Sequence, residues 1–305
     1  MLKKIAISLG DINGIGIQLA LENHKKISKL CHPIYCIDNN LLKTAAKKLH
    51  LNIPKNFVID GSYKKARVHP GKVKKDSGQF SYDSFLHAIN LAKRKDVDAI
   101  CTLPINKEAW SKADINYVGH TDMLRDIFQK NAIMMLGCEE MFVALYTEHI
   151  PLKEVVSTIK TKKLISFLVN FSKSIDSKSQ PIAVLGLNPH AGDNGVLGDE
   201  ETIIKKAIYK AEKLTNETFD LLVPDIAFTP HVRKNYKYFC AMYHDQGLAP
   251  LKALYFEESI NVSLNLPIKR TSVDHGTAFD IAYKKDQTIS NKSYLNAVKE
   301  AIKQN

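Results

Sequence analysis

The sequence predicts an α/β protein, either of two domains or of one large unit with a cleft, and three observations predict it. Short β-branched and apolar runs alternate with longer stretches whose apolar residues recur at helical spacing, the pattern of a mostly parallel sheet covered by helices. The 305 residues suffice for two domains at ~150 residues each. Apolar residues form 45% of the chain and charged residues 25%, which sets aside disordered and fibrous classes.

At the start, KKIAISLG (3–10) is a β-branched run closed by glycine, and residues 17–30 carry apolar positions three and four apart. A strand, a glycine-bearing turn and a helix are expected. The alternation continues with PIYCID (33–38), a lysine-rich helix reaching His50, NFVID (56–60), a helix over 79–95 and DAICTL (98–103). Between Gly61 and Gly78 the chain is too polar and basic for a core element and reads as an exposed loop or small excursion. A second series of apolar runs, AIMMLG, MFVALYT, IAVLGLN, DLLVPD and KYFCAMY, with helical patterns between several of them, reads as a second α/β unit. SYLNAVKEAIKQ spaces its apolar residues as a closing helix does.

The formal charge is +11, from 43 basic and 32 acidic residues, a surplus that suits nucleic acid, an anionic membrane surface or small anionic substrates. Only five of the 43 are arginine: Arg67, Arg94, Arg125, Arg233 and Arg270. Readers of bases and phosphates favour arginine's planar fork, so scattered lysine argues against nucleic acid and for a solvated basic surface. No apolar run approaches the ~18 residues of a membrane helix, and the short stretch before Asp11 makes no convincing signal peptide. Cys31, Cys36, Cys101, Cys138 and Cys240 include no CxxC pair, which points away from disulfides or a cysteine zinc site and toward a reducing cytoplasm.

Three histidines each stand just past an expected strand: His149 after MFVALYTE, His190 after IAVLGLNP and His244 after KYFCAMY. Ligands of open α/β sheets bind beyond the carboxyl ends of strands. Three imidazoles converging there would hold a divalent metal with positions open for substrate or water; three unrelated histidines, among 11 in the chain, are the alternative. Asp245 follows His244 directly, where a carboxylate orients an imidazole, accepts a proton from a metal-bound alcohol, or caps a helix.

GHTD (119–122) sets a glycine turn, His120 and Thr121 at the expected start of a helix, which is either an anion site or a capping turn. Lys252, Asn261 and Arg270 supply a point charge, an amide and a fork suited to phosphate or carboxylate. GDINGIG (10–16) follows neither GxGxxG nor the GK[ST] of a phosphate loop and reads as a tight strand-to-helix turn. DHGTAFD (274–280) reads as a glycine turn opening a helix, with Asp274 and Asp280 available to a nucleotide, or as an ordinary helix start.

In combination, GDINGIG, TLPINK, GHTDML, GLNPHAGDNG, AMYHDQGLAPLK and NVSLNLPIKRTSVDHGTAFDIA resemble the 4-hydroxythreonine-4-phosphate dehydrogenase family of pyridoxal phosphate biosynthesis, over about residues 3–285. The resemblance implies two α/β/α domains around a cleft, in an isocitrate/isopropylmalate dehydrogenase-like fold, and a homodimer with active sites at the subunit interface. It implies a first domain of 1–117 with 272–305, carrying the nucleotide loop, and a second of 118–271, carrying metal ligands and dimer contacts. By matching motif, His149, His190 and His244 would hold zinc, with magnesium or cobalt as substitutes. His120, Thr121, Lys252, Asn261 and Arg270 would bind the substrate, and Asp274, His275, Gly276, Thr277 and Ala278 would approach NAD or NADP.

The implied reaction is oxidation of 4-phosphooxy-L-threonine at its secondary alcohol, then loss of carbon dioxide to 3-amino-2-oxopropyl phosphate, with Asp245 as proton acceptor and an orienting role as its rival. The chain departs from the family's usual pattern at Ile12, Ile17 and Gln18 in the first loop and at Asn265, where glycine is usual. The rival readings are a sister dehydrogenase of threonate or erythronate 4-phosphate, a metal-dependent hydrolase, and a basic nucleic-acid-binding protein.

Overall fold

A computed structural model describes residues 2–61, 63, 66–178, 180–285 and 287–303, in two compact units. One unit comprises residues up to Lys130 and from Leu266 onward; the other is Asn131–Asn265.

In the first unit, β1 (Lys4–Ser8), α1 (Gly16–Ile27), β2 (His32–Cys36), α2 (Asn39–Leu49) and β3 (Val58–Ile59) alternate as the apolar runs predict. Asp38 caps α2 by accepting a hydrogen bond from Leu41 N at 2.9 Å, and His50 ends it in a left-handed conformation. The strand expected over 56–60 shortens to two residues. Next come α3 (Lys75–Lys93), β4 (Ala99–Thr102), α4 (Lys107–Lys112) and α5 (His120–Phe128). Helix α3 begins inside the stretch read as an excursion, because Ser77 and Gly78 are buried there. Met123 and Leu124 of α5 join Phe85, Ile89 and Trp110 in the core, so this helix belongs to the first unit although the sequence suggests a division at 117.

The second unit contains β5 (Ile133–Cys138), β6 (Met141–Leu145), α6 (Leu152–Thr158), α7 (Thr161–Ser172), β7 (Ile182–Leu185) and a 3-10 stretch over Pro189–Gly195. It continues with α8 (Glu200–Thr215), β8 (Phe219–Leu222), the single turns α9 (Pro224–Ala227) and α10 (Pro230–Arg233), β9 (Tyr238–Ala241), α11 (His244–Tyr255) and β10 (Ile260–Leu264). Its strands lie in the order β10-β5-β6-β9-β7-β8, antiparallel across the first two pairs and parallel thereafter. Val143, Leu145, Leu185, Phe239 and Leu248 form its core. Asn265 has φ +59°, a conformation asparagine tolerates better than most side chains, and its Nδ2 donates to Asn131 O at 2.9 Å.

The chain then returns to the first unit as β11 (Arg270–Val273) and α12 (Lys292–Ile302). Strand β11 pairs in parallel with β4, giving the order β3-β2-β1-β4-β11, every pair parallel. Arg270 therefore lies in the first unit with His120 and Thr121, not in the second as expected. Parallel strands buried on both faces read as continuous apolar runs, which is why β1 and β4 stand out in the sequence. Among the described residues no helix is long and apolar enough to cross a membrane. All five cysteines are buried free thiols.

Candidate active site

In the second unit, hydrogen bonds lace together the carboxyl ends of β6, β9 and β7. Beyond β6, Tyr146 N donates to Ala241 O at 2.9 Å and Thr147 Oγ1 to Met242 O at 2.7 Å. Gln246, on the first turn of α11, accepts from Met242 N at 2.8 Å and donates through Nε2 to Gly186 O at 2.6 Å. The three loops that carry His149, His244 and His190 are thus rooted on one connected backbone network.

His149 follows β6 and His244 opens α11, and their ring centroids are 5.4 Å apart with planes tilted by 43°. Two imidazoles binding one tetrahedral zinc at ~2.1 Å have centroids roughly 5 Å apart, so the pair fits two corners of such a site. Asp245 Oδ1 lies 2.7 Å from His244 Nδ1. Accepting that N–H fixes the tautomer that leaves the lone pair on Nε2, as metal-ligating histidines require. Tyr243, not Asp245, is the N-cap of α11, so the helix-cap role does not apply.

His190 stands apart from this pair. It is exposed and begins a run of five residues, His190 to Asn194, with φ between 41° and 77°. A left-handed turn costs L-residues roughly 1–2 kcal/mol each, so this segment is held by its surroundings. Among the described residues no group of three or more His, Cys, Asp or Glu is arranged to hold a metal ion. Lys252, half-buried on α11 with Nζ 5.5 Å from the Phe256 ring centroid, and Asn261 on β10 also belong to the second unit.

The first unit contains the other half of the predicted anion set. Arg270 is 2% exposed, and its Nε and Nη2 donate to Thr102 Oγ1 at 3.2 and 2.7 Å. Burial pushes the guanidinium down to about 9. His120 starts α5, its ring edge-on to Phe85 at 4.5 Å and to Trp110 at 5.8 Å between centroids. Burial, then the neighbouring Arg270 charge, hold His120 well below the usual histidine range, so it is neutral at pH 7. Its Nε2 is buried and has no hydrogen-bond partner among the described residues. A buried guanidinium beside a neutral imidazole with an unused nitrogen is suited to receive an anion. Thr121, the next residue of α5, is also buried; Gly119, rather than Thr121, occupies the cap position.

The segment from Asp274 departs from expectation. No helix opens there: Ala278 has φ +46° and Tyr283 φ +61°, and the chain turns with Ile281 N and Ala282 N both donating to Ala278 O and Lys284 N to Ile281 O. DHGTAFD therefore offers a nucleotide no helix N-terminus. The loop is instead fixed from outside. Asp274 N donates to Ser293 Oγ at 3.1 Å, Ile15 N to Thr277 O at 3.1 Å, and Tyr283 OH to Ile12 O at 2.7 Å. A Cβ on Gly14 would lie 2.7 Å from Thr277 O, so only glycine allows this approach.

GDINGIG is thus more than a tight turn. Asp11 is buried, accepts from Asn13 N at 2.9 Å and Ser77 Oγ at 3.1 Å, and is pushed up to about 6 by burial. Asn13 Oδ1 accepts from His69 N at 2.7 Å while its Nδ2 donates to Lys72 O at 2.7 Å. The loop pins the 66–74 segment on one side and Thr277 on the other. Sequence reasoning missed Asp11, Asn13, Thr102, Glu201 and Gln246; for Asn13 and Thr102 the available signal was a polar residue set among apolar or glycine neighbours near a strand end.

A largely parallel α/β architecture, with a buried guanidinium beside a neutral imidazole in one unit and a histidine pair beyond strand ends in the other, defines the class: an α/β protein with the polar side chains of an enzyme. The chain belongs to the family described as pyridoxal phosphate biosynthetic protein PdxA, whose model matches residues 29–301. It is 60% identical to a 4-hydroxythreonine-4-phosphate dehydrogenase of Sulfurimonas denitrificans, covering 98% of this chain and 97% of that one. Identity with the protein of the same name from Campylobacter fetus is 56%, over 99% and 98% of the two chains. The crystal structure of a 4-hydroxythreonine-4-phosphate dehydrogenase from Klebsiella pneumoniae superimposes with a TM-score of 0.80 at 30% identity, covering 99% of this chain and 98% of that one.

Proposed function

We propose that this chain is a 4-hydroxythreonine-4-phosphate dehydrogenase that oxidises 4-phosphooxy-L-threonine with NAD and a divalent cation. The observation that carries this reading is the 60% identity, over 98% of the chain, with a relative of that name. Arg270, His120 and Thr121, all of the first unit, bind the phosphorylated substrate and hold it in place. Neutral His120 donates a hydrogen bond without adding charge, while Arg270 supplies the fixed positive one.

His149 and His244 are the residues that would hold the cation, zinc being the metal their donor type suits. A bound cation would stabilise charge developing on the substrate oxygen, and NAD beside residues 274–278 would take the hydride. Asp245, bonded to His244 Nδ1 through one oxygen and 83% exposed at its side chain, accepts the hydroxyl proton. The resulting 2-amino-3-oxo acid loses carbon dioxide, takes up a proton at the carbon that bore it, and leaves 3-amino-2-oxopropyl phosphate. A cytoplasmic homodimer with active sites at the subunit interface completes this reading.

The test is NADH absorbance after mixing the protein and NAD with 4-phosphooxy-threonine or threonate 4-phosphate, each with and without zinc. Zinc-dependent turnover that favours the amino acid is expected. Preference for the sugar acid would overturn the substrate assignment, and no turnover of either would overturn the dehydrogenase reading.

A further inference from the structure

Arg270 is the first residue of β11, and its partner across the parallel ladder is Ile100 of β4. Paired residues share a face of the sheet, and Ile100 packs in the core with Phe85 and Trp110, the two rings that flank His120. Arg270 and His120 thus meet on one face, where burial and then the Arg270 charge keep the imidazole neutral. Thr102 is the last residue of β4, two past Ile100, so it points to the same face about 7 Å further along the strand.

The Arg270 side chain spans that step. Its Nε and Nη2 both donate to the Thr102 hydroxyl, at 3.2 and 2.7 Å, and both residues are buried. The guanidinium is thereby drawn along the sheet toward the carboxyl ends of the strands, where ligands of open α/β sheets bind. Two donors from one edge of a planar fork, held on one acceptor, fix its orientation as well as its place. Threonine suits this task because β-branching leaves its hydroxyl little rotational freedom.

We propose that Thr102 is a positioning residue that sets the direction in which the Arg270 guanidinium meets the substrate phosphate. This rests on the phosphate-binding reading of Arg270 given above. Thr102 acts through Arg270: with the Nε and Nη2 edge held, the long side chain is already ordered before the anion arrives, so binding loses little of its freedom. The buried Nε2 of His120, with no partner among the described residues, stands on the same face to meet the same anion.

The experiment is affinity of the full chain for 4-phosphooxy-threonine, read by titrating Trp110 emission, for wild type, Thr102→Val, Thr102→Ser, Arg270→Met and the double variant Thr102→Val/Arg270→Met. Thr102→Val keeps the volume, removes the acceptor and should weaken binding ~10- to 100-fold, the effect of losing a hydrogen bond to a charged group. Thr102→Ser keeps the hydroxyl and should restore most of the affinity. In the Arg270→Met background the valine should change affinity no further, because the group it acts through is gone, whereas general damage to the fold would lower affinity in both backgrounds. Thr102→Cys, a weaker acceptor, should also weaken binding and keeps the test decisive if Thr102→Val does not fold. Wild-type affinity in the valine and cysteine variants with loss in Arg270→Met, or equal losses from valine in both backgrounds, would overturn the positioning role alone. Wild-type affinity in Arg270→Met would overturn the phosphate reading and this inference with it.

Discussion

Replacing Arg270 by methionine separates what the fold needs from what the site needs. The guanidinium is 2% exposed, and burial lowers it from 12.5 to about 9. At ~1.4 kcal/mol per pH unit, that displacement corresponds to a burial cost on the order of 4–5 kcal/mol. A base lowered in the folded state carries this cost fully below about pH 9 and sheds it as pH rises toward its unfolded value, so at pH 7 the whole cost is present. Methionine fills much of the same volume without charge. It gives up the two hydrogen bonds to Thr102 and leaves that hydroxyl short of a donor, which costs about 1–3 kcal/mol. The net expectation is a variant at least as stable as wild type, by roughly 1–4 kcal/mol in denaturant unfolding, as when buried charges are replaced by apolar groups. Binding should move the other way. Losing a desolvated charge opposite a phosphate costs ~2–5 kcal/mol, or about 30- to 4000-fold in affinity. Trp110, the only tryptophan of the chain, lies 5.8 Å from the His120 ring and provides the assay, a titration of its emission with the phosphorylated substrate. Unchanged affinity in Arg270→Met would refute the assignment of this charge to ligand binding, and a strongly destabilised variant would refute the burial cost.

Two further predictions concern the first loop. Asp11, raised in the folded state from 3.8 to about 6, is destabilising above about pH 6, and this cost fades as pH falls toward its unfolded value. Asp11→Asn should therefore raise stability at pH 7.5 by up to ~3 kcal/mol and have little effect near pH 3.5, measured by urea unfolding at both; equal effects would refute the shift. Gly14→Ala would push a methyl to 2.7 Å from Thr277 O and displace the 274–278 loop. It should raise KM for NAD at least ~10-fold with a smaller change in KM for the phosphorylated substrate, and an unaltered NAD dependence in steady-state kinetics would remove this loop from the cofactor site.

Much of the fold was legible because buried parallel strands are apolar on both faces and need no alternation to be noticed. Runs such as KIAIS and AICT became β1 and β4, and the closing helix became α12. Boundaries were harder, since they depend on which core a helix face meets. Nothing local to GHTDML says that Met123 and Leu124 pack with Phe85 and Trp110. The His149 and His244 pairing followed from position at strand ends, but the turn of His190 did not, because left-handed φ values at His190, Ala191 and Asp193 carry no sequence signal comparable with a glycine. The helix expected from DHGTAFD failed for the same reason at Ala278, whose φ is +46°. Asp11 and Glu201 passed unnoticed because a buried carboxylate is recognisable only once its donors are in place.

The first unit is assembled from both ends of the chain, and this orders events during synthesis. Strand β4 has β1 on one side, but its other neighbour, β11, leaves the ribosome only after all of Asn131–Asn265. The second unit is contiguous and can complete its sheet while the first still presents the open edge of β4, a template for unwanted strand pairing. The strand that closes that edge begins at Arg270 and brings Thr271, whose hydroxyl bonds Ala297 O of α12 at 2.8 Å. The nascent chain thus acquires its buried guanidinium in the same step that seals its sheet, and a chain cut short before residue 266 has neither.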